Sequence, residues 1–361
     1  MRDNPWYARG LQVIRVSPDR FVLKRGLCEV SIAGAVAAAI VEPLAAMLDG
    51  TRGRAEILEA FSGDLRPDVD RLLRALQERG LAGDRAEDAA GAEAADGSQS
   101  AFYDNFGPAG RAAPDQLRQA VVLVAGANLT ARALALGLLE CGVGQVIVVD
   151  HPVLTNPAAS GWARRDGSPG DLPREAAGRL CFSASMPGDE TLRGVSLLCA
   201  TSDLGEVDAL LEMSRLALRL ERPFLPAWLD GMMGVVGPLC YARETACLRC
   251  YRLRADASSP RYDVARAVRK HLSIDPEARA ATGLLPPMPG VLGRVAAMEA
   301  LKCLGGFIAS DTIGQILEIN LIAFGATSRR VLKIPRCPDC SEQSRRAPTA
   351  LTHGPQIPDR R

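Results

Sequence analysis

The sequence has few histidines and almost no net charge. Only three of its 361 residues are histidine, and His151, His271 and His353 form no grouping with serine, cysteine or carboxylate that is typical of acid–base catalysis. The 43 lysines and arginines nearly balance the 42 aspartates and glutamates, which leaves a net charge of +1. A balance this even predicts no general attraction to nucleic acid or to an anionic membrane.

The sequence also predicts neither a secretory signal nor a membrane span. Residues 1–6 lack the charged-then-apolar pattern of a signal peptide. The apolar stretch 32–47 is shorter than a span, rich in alanine and interrupted by Glu42 and Pro43, so it predicts a buried helix. We therefore expect a cytoplasmic protein with reduced cysteines and no membrane partner.

Four of the ten cysteines form two Cys-x-x-Cys pairs, Cys247 with Cys250 and Cys337 with Cys340. Each such turn can direct two sulfurs at one ion, and two turns complete the tetrahedron that Zn²⁺ prefers. Both pairs are predicted to lie in loops, whereas a thioredoxin-like redox pair would open a helix, so zinc is favoured over redox chemistry. Four thiolates leave no open position, which predicts a structural Zn²⁺ site. The other cysteines are predicted to be small core residues, namely Cys28, Cys141, Cys181, Cys199, Cys240 and Cys303.

One segment separates the chain into two domains. Residues 84–100 are acidic and small, with no large apolar side chain, so they cannot bury enough surface to offset the entropy of ordering. The sequence predicts a recognition module at 1–83, a flexible linker at 84–100 and a larger domain at 101–345. Residues 346–361 form a polar, proline-containing tail that is predicted to be disordered.

The first module reads as three strands followed by three helices. Short β-rich runs at 11–16, 20–24 and 27–32 are separated by turns at 17–19 and 25–26. Helical patterns follow at 34–48, 52–61 and 67–79, the last with Pro67 in its first turn and Gly80 beyond its end. This β3α3 order predicts a winged-helix arrangement.

Three uses of such a module remain open: binding DNA, binding a peptide, or packing without a ligand. Acidic residues in and near the third helix largely cancel its arginines, so the positive stripe that phosphate binding requires is missing. A peptide could instead add a strand to an exposed sheet edge. The predicted cleft lies between the strand residues Leu27, Cys28, Glu29, Val30, Ser31 and Ile32 and the helix residues Arg71, Arg74 and Ala75.

The second domain begins with the βαβ pattern of a nucleotide-binding fold. A buried-type strand at 120–125 is followed by Gly126, a helix to residue 141, and a second strand at 145–149 that ends on Asp150. Only Gly126 remains of a glycine loop, since Asn128 and Leu129 place Cβ atoms where backbone would have to approach phosphate. We therefore predict a degenerate Rossmann-like α/β domain. In it, Asp150 either caps a loop, which the missing glycines favour, or lies where a ribose hydroxyl would bind.

The order of the Rossmann-type half, first cysteine pair, crossover, 290–302 segment and second cysteine pair resembles the ThiF/MoeB, ubiquitin-activating-enzyme-like superfamily from Phe102 to Cys340. With a module similar to PqqD-like peptide-recognition elements ahead of it, the whole chain resembles the ocin-ThiF-like, leader-peptide-binding partners of azoline-forming (TOMM) cyclodehydratases. Active superfamily members adenylate a C-terminal carboxylate, using a glycine loop, a pair of aspartates, an arginine, a lysine and a later aspartate.

Measured against that pattern, this chain keeps only a vestigial nucleotide site. Asp150 matches the first aspartate, Pro152 stands at the second, Arg174 takes the place of the lysine, and Asp203 is a shifted form of the later aspartate. With Gly126 these residues make up the predicted remnant. Losing several charges that stabilise a transition state should abolish adenylation. The 251–286 crossover contains no cysteine for thioester chemistry.

The resemblance therefore implies a non-catalytic protein that binds the leader of a ribosomally made (RiPP) precursor peptide. Its partner would be a separate, ATP-dependent YcaO-type cyclodehydratase that makes azolines, and a homodimer is compatible with the resemblance. The alternatives are a peptide-adenylating ThiF-like enzyme and a winged-helix DNA-binding regulator.

Overall fold

The computed structural model describes residues 5–7, 11–26, 28–84, 97–156, 178–205, 207–275 and 283–341. The chain divides into two compact units, Met1–Gln116 with Gly305–Ile308, and Leu117–Leu304 with Ala309–Arg361. Both contain helices and strands, so the predicted α/β class is confirmed. None of the described helices combines the length and the apolar character that crossing a membrane requires.

The first unit contains a three-stranded antiparallel sheet in the order β2-β3-β4. The strands are β2 (Gln12–Ser17), β3 (Arg20–Arg25) and β4 (Cys28–Ala33). β3 pairs with both neighbours, and its central side chains Phe21, Val22 and Leu23 are buried. Within the described residues β4 pairs only with β3, so its other edge is open.

Three helices follow this sheet in the predicted order: α1 (Ala37–Met47), α2 (Arg54–Glu59) and α3 (Arg66–Glu78). α3 buries Val69, Leu73 and Leu76, whose spacing of three and four residues places them on one face of the helix. They pack with Phe21, Leu23, Ile40, Leu44 and Ile57 in one core. Hydrophobic periodicity alone therefore predicts these helices to within a few residues of their ends.

The first unit also contains elements that the sequence does not reveal. β1 (Pro5–Tyr7) pairs antiparallel with β5 (Ala82–Asp84), and two helices follow, α4 (Gly97–Asp104) and α5 (Gly107–Gln119). The compact unit thus extends past the predicted linker, and α4 begins inside its last residues. Within the unit, Phe102, Tyr103 and Phe106 surround Phe307, with ring centroids 5.1–6.2 Å from it. Residues 85–96 of the linker and the 346–361 tail lie outside the described residues.

The second unit is built on an eight-stranded sheet in the order β13-β12-β11-β10-β9-β6-β7-β8. Five neighbouring strands, β10 to β8 in that order, are parallel, and the three at the other end are antiparallel. The parallel strands are β6 (Val121–Ala125), β7 (Gln145–Val149), β8 (Leu180–Ser183), β9 (Leu197–Ser202) and β10 (Phe224–Asp230). The antiparallel strands are β11 (Met233–Val236), β12 (Gln315–Asn320) and β13 (Ala326–Arg330).

Helices complete this Rossmann-like unit. They are α6 (Leu129–Glu140), α7 (Asp189–Gly194), α8 (Asp208–Leu220), α9 (Leu248–Ser258), α10 (Tyr262–Ile274) and α11 (Pro287–Gly305). β6 and β9 are almost completely buried, as expected for parallel strands with apolar runs. The chain order reverses beside β6, and the carboxyl ends of β6, β7 and β9 meet at one edge of the sheet. That edge is where nucleotide-binding folds place their ligand.

Candidate functional site

The two cysteine pairs come together in the second unit. The Sγ atom of Cys247 lies 3.8 Å from that of Cys250 and 3.7 Å from that of Cys337, and the Cys250 and Cys340 sulfurs are 3.6 Å apart. All four sulfurs lie within 4.8 Å of one another. These separations exceed the S–S bond length, so the thiols are free rather than oxidised.

Local backbone structure directs the four sulfurs inward. Cys247 is the N-cap of α9, and the Cys250 N–H donates to the Cys247 carbonyl across 3.0 Å. The prediction that both pairs lie in loops is wrong for this pair, because Cys247 precedes the first residue of α9 and Cys250 lies in the first turn of that helix. The second pair does lie in a turn, where the Ser341 N–H donates to the Cys337 carbonyl at 3.1 Å. The Ile334 N–H also donates to the Cys250 sulfur at 3.4 Å.

This geometry fits a tetrahedral metal site. Metal–sulfur bonds of about 2.3 Å place tetrahedral sulfurs about 3.8 Å apart, close to the spacings observed here. Hydrogen bonding by the Cys247 thiol lowers the pKa of Cys250, and lowers the pKa of Cys337 to about 6. Cys247, Cys250 and Cys337 are buried in the hydrophobic core. The cluster could therefore hold one metal ion through four thiolates, with no coordination position left for a substrate.

The predicted peptide cleft coincides with the open edge of β4. Along that strand Val30 is buried, Cys28 and Ile32 are half-buried, and Glu29 and Ser31 are exposed, which is the alternation of a strand with one covered face. Leu27 lies outside the described residues. Among the residues that the structure describes, no strand pairs with the outer edge of β4.

The helix side of the predicted cleft carries neutralised charges. Arg71 forms an ion pair with Asp68 at 3.1 Å, and Arg74 forms one with Asp70 at 2.7 Å, while Ala75 is half-buried. Both arginine side chains remain well exposed, so each pair is weak. Either guanidinium can exchange its helical partner for a ligand carboxylate at little cost.

A cavity of about 530 Å³ opens where α3 ends and β4 begins. On its wall, Arg25 donates to the Gly80 carbonyl at 2.7 Å and forms a buried ion pair with Asp104 at 3.1 Å. Arg79 and Arg111 also line it, and neither guanidinium has a hydrogen bond or ion pair within the described part of the chain. Sequence reasoning misses this cavity, because its walls come from segments far apart in the chain.

Gly126, the one glycine left of the predicted loop, is closely surrounded by other groups of the protein. Gly126 has a φ of +101°, and a Cβ atom there would lie 2.7 Å from the Leu154 Cβ and 2.9 Å from the Thr201 carbonyl. Asn128 caps α6 by accepting from the Ala131 N–H at 2.8 Å, and its Nδ2 donates to the Leu154 and Thr201 carbonyls. Side chains therefore occupy the space beside Gly126.

We expect Gly126→Ala to destabilise the protein by about 2–4 kcal/mol, since positive φ and a close contact both oppose a Cβ atom there. The matched control is Gly142→Ala, at a φ of +84° with no atom within 4 Å of the added Cβ. That variant should lose only about 1 kcal/mol, the conformational part alone. Urea unfolding of both variants measures the difference, and equal losses would show that the space beside Gly126 is not tightly packed.

The remaining predicted nucleotide residues have separate roles. Asp150 is exposed and accepts from the Thr155 hydroxyl at 2.7 Å, and that hydroxyl also accepts from the His151 and Ala127 N–H groups. Asp150 thus closes the loop after β7. Arg174 lies outside the described residues.

Asp203 directly follows β9 and is buried. It is 2% exposed and accepts from the Leu129 N–H at 2.8 Å and from the Thr130 N–H at 3.1 Å, at the N-terminus of α6. The structure brings Gly126 and Asp203 to the same edge of the sheet. The sequence gives no signal for this contact, since the bonded residues are more than 70 positions apart.

No protein-family model matches the chain, and no curated protein matches it in sequence. Solved structures do match. The structure of E. coli MccB with ATP superposes with a TM-score of 0.65 at 16% identity, covering 93% of this chain and 99% of MccB. The microcin C7 biosynthetic enzyme MccB in complex with N-formylated MccA gives the same TM-score, 0.65, at 15% identity and the same coverage.

The heterocyclase TruD matches with a TM-score of 0.61 at 18% identity, covering 94% of this chain but only 43% of TruD. The chain therefore spans less than half of that heterocyclase, whereas it spans MccB almost completely. At these identities the similarity establishes the fold. The chain has the overall fold of MccB and of part of TruD, and the Rossmann-like α/β architecture expected from the sequence is confirmed.

Proposed function

We propose that this protein is a non-catalytic recognition subunit that captures the leader of a ribosomally made precursor peptide and presents it to a separate YcaO-type cyclodehydratase. The observation that carries this proposal is the open edge of β4. An extended peptide can add there as a further strand, with main-chain hydrogen bonds giving affinity and alternate side chains giving specificity.

The surroundings of that edge support a peptide rather than DNA. Two arginines of α3, Arg71 and Arg74, each lie beside an aspartate of the same helix, which lowers the net positive charge that binding to DNA phosphates requires. The cavity at the Cys28 end of β4 adds a polar recess for a side chain. A winged-helix module with these features is suited to a strand-like ligand of mixed polarity.

Tethering explains how such a subunit acts without catalytic groups. Holding a flexible substrate beside an enzyme raises its effective concentration to the millimolar range when the link is short.

For the metal we propose Zn²⁺ in a structural role. Four cysteine sulfurs in tetrahedral spacing are the donor set of structural zinc sites, and the cluster leaves no open position for hydrolysis. Cys247, Cys250, Cys337 and Cys340 would hold the ion and join α9 to the segment after β13.

The similar structures are consistent with this role. TruD is a heterocyclase, and MccB is a microcin C7 biosynthetic enzyme. The second candidate function is peptide adenylation, and it is favoured by the match to MccB with ATP over 99% of that chain. The side chains that fill the space beside Gly126 argue against it.

The test is fluorescence-polarisation binding of labelled leader segments, taken from short open reading frames beside this gene, to the full chain. We expect at least one to bind at micromolar concentration or below. Because alternate amides of an added strand face its neighbour, N-methylation of one alternate set should weaken binding at least about tenfold, and the other set much less.

Charge reversal gives a matched pair of protein variants for the same assay. Arg79→Glu reverses a charge on the cavity wall and should lower the affinity for an acidic leader about tenfold. Arg15→Glu on β2 is the control and should change that affinity less than about twofold. Absence of binding by every leader would refute the recognition role. ATP–pyrophosphate exchange by the isolated chain would favour adenylation instead.

A further inference from the structure

The N-terminus of α6 is the position at which this fold type binds phosphate, and here a carboxylate occupies it. The first N–H groups of a helix have no partner inside the helix and attract anions. In α6 the Leu129 and Thr130 N–H groups donate to the two Asp203 oxygens at 2.8 and 3.1 Å. The Ala131 N–H donates to Asn128 at 2.8 Å. Side chains of the protein itself therefore satisfy the first turn of α6.

The same carboxylate has two further neutral donors. The Thr130 hydroxyl donates to it at 2.6 Å, and the Asn156 amide donates at 3.1 Å. Asp203 is 2% exposed, so water contributes little to its solvation. A buried anion requires this kind of compensation, which the helix dipole and the four donors supply.

The Leu129, Thr130 and Ala131 N–H groups already have acceptors within the protein, so none of the three is free for a phosphate. Close approach of a phosphate requires bare backbone in the loop before the helix, but Asn128 fills that space and bonds both to Leu154 and to Thr201. The Thr201 hydroxyl also donates to the side-chain amide oxygen Oδ1 of Asn128 at 2.9 Å. Asn128 thus occupies space beside Gly126, and Asp203 accepts from N–H groups of α6 that a phosphate would otherwise use.

We propose that Asp203 is a built-in replacement for a nucleotide phosphate: a fixed internal anion that satisfies α6 and excludes nucleotides from this edge of the sheet. The inference goes beyond peptide capture and does not depend on it. It explains how the chain can keep a nucleotide-binding fold without the ligand, because an unfilled helix N-terminus and loop would otherwise leave buried donors unpaired.

The test is rescue of Asp203→Ala by formate, the smallest carboxylate. This variant should melt about 5–10 °C below the wild type, because four donors lose their acceptor. Formate should then raise its melting temperature in a saturable manner, as a ligand that binds only the folded state does. Sodium chloride at equal ionic strength is the salt control. Asp150→Ala, which removes an exposed carboxylate from the same edge, is the matched variant and should show no formate-specific rise.

Wild-type protein is titrated with Mg-ATP in parallel, and no saturable binding is expected. If Asp203→Ala folds only with formate present, the proposal is equally supported. If formate changes neither folding yield nor melting temperature, or if the wild type binds Mg-ATP and Asp203→Ala abolishes that binding, the proposal is overturned. Leader binding measured on the same wild-type sample shows separately whether peptide capture holds.

Discussion

If the cysteine cluster holds Zn²⁺ as proposed, replacing Cys247 by serine is expected to release the ion and unfold the second unit. The cluster joins α9 to a segment 90 residues further along the chain, and three of its four cysteines are part of the main hydrophobic core. Structural zinc contributes about 10–16 kcal/mol of apparent binding free energy in small zinc domains. That is comparable to the whole stability of a typical domain, about 5–15 kcal/mol, so its loss cannot be absorbed by the rest of the core.

The measurement is metal content by mass spectrometry together with near-ultraviolet circular dichroism and hydrogen exchange. Cys181→Ser is the matched control, since Cys181 is half-buried, lies outside the cluster and accepts a hydrogen bond from Gln145 that a serine can also accept. It should keep the metal and the cooperative transition. A Cys247→Ser protein that lacks metal but still unfolds cooperatively at the wild-type temperature would refute the structural role.

The features that could be predicted from the sequence are those set by neighbouring residues. Spacing alone identifies the face of α3 that carries Val69, Leu73 and Leu76, because helical periodicity is a local property. The apolar run of β6 predicts a buried parallel strand for the same reason. The two Cys-x-x-Cys turns identify the four cluster residues, since each turn sets the distance between its own sulfurs.

The features that could not be predicted depend on contacts between distant segments. The pairing of β1 with β5 joins residues near 6 and 83 through only three positions, too few for a strand pattern to stand out. Asp203 follows its strand as any turn residue would, and only the folded sheet brings it to α6. The cavity beside Arg79 needs α3, β3 and the 104–111 region at once. Local patterns therefore predict the helices, the strands and the cysteine cluster, whereas the cavity and the contact between Asp203 and α6 depend on the topology of the folded chain.

Arg25→Ala is expected to destabilise the first unit by about 2–4 kcal/mol. The Arg25 side chain is 9% exposed and its partner Asp104 is 16% exposed, so removing the guanidinium leaves a poorly solvated carboxylate and an unpaired Gly80 carbonyl. Removing both members of a buried ion pair costs less than removing one, because no unpaired charge remains. The double variant Arg25→Ala/Asp104→Ala should therefore lose less free energy of unfolding than the sum of the two single variants.

Arg15→Ala is the matched control for this experiment. Arg15 and Glu42 form a similar ion pair at 2.9 Å, but both side chains are 52% exposed, so its loss should cost less than about 1 kcal/mol. Hydrogen exchange along β3 and α3 reports the first unit separately from the second, which should not respond to either variant. Equal hydrogen-exchange protection in Arg25→Ala and Arg15→Ala would mean that the more buried Arg25 ion pair stabilises the unit no more than the exposed Arg15 pair does. Loss of protection in Arg25→Ala alone would show that the Arg25 ion pair stabilises β3, the strand that precedes β4. The stability of the proposed peptide cleft would then depend on residues that line the cavity.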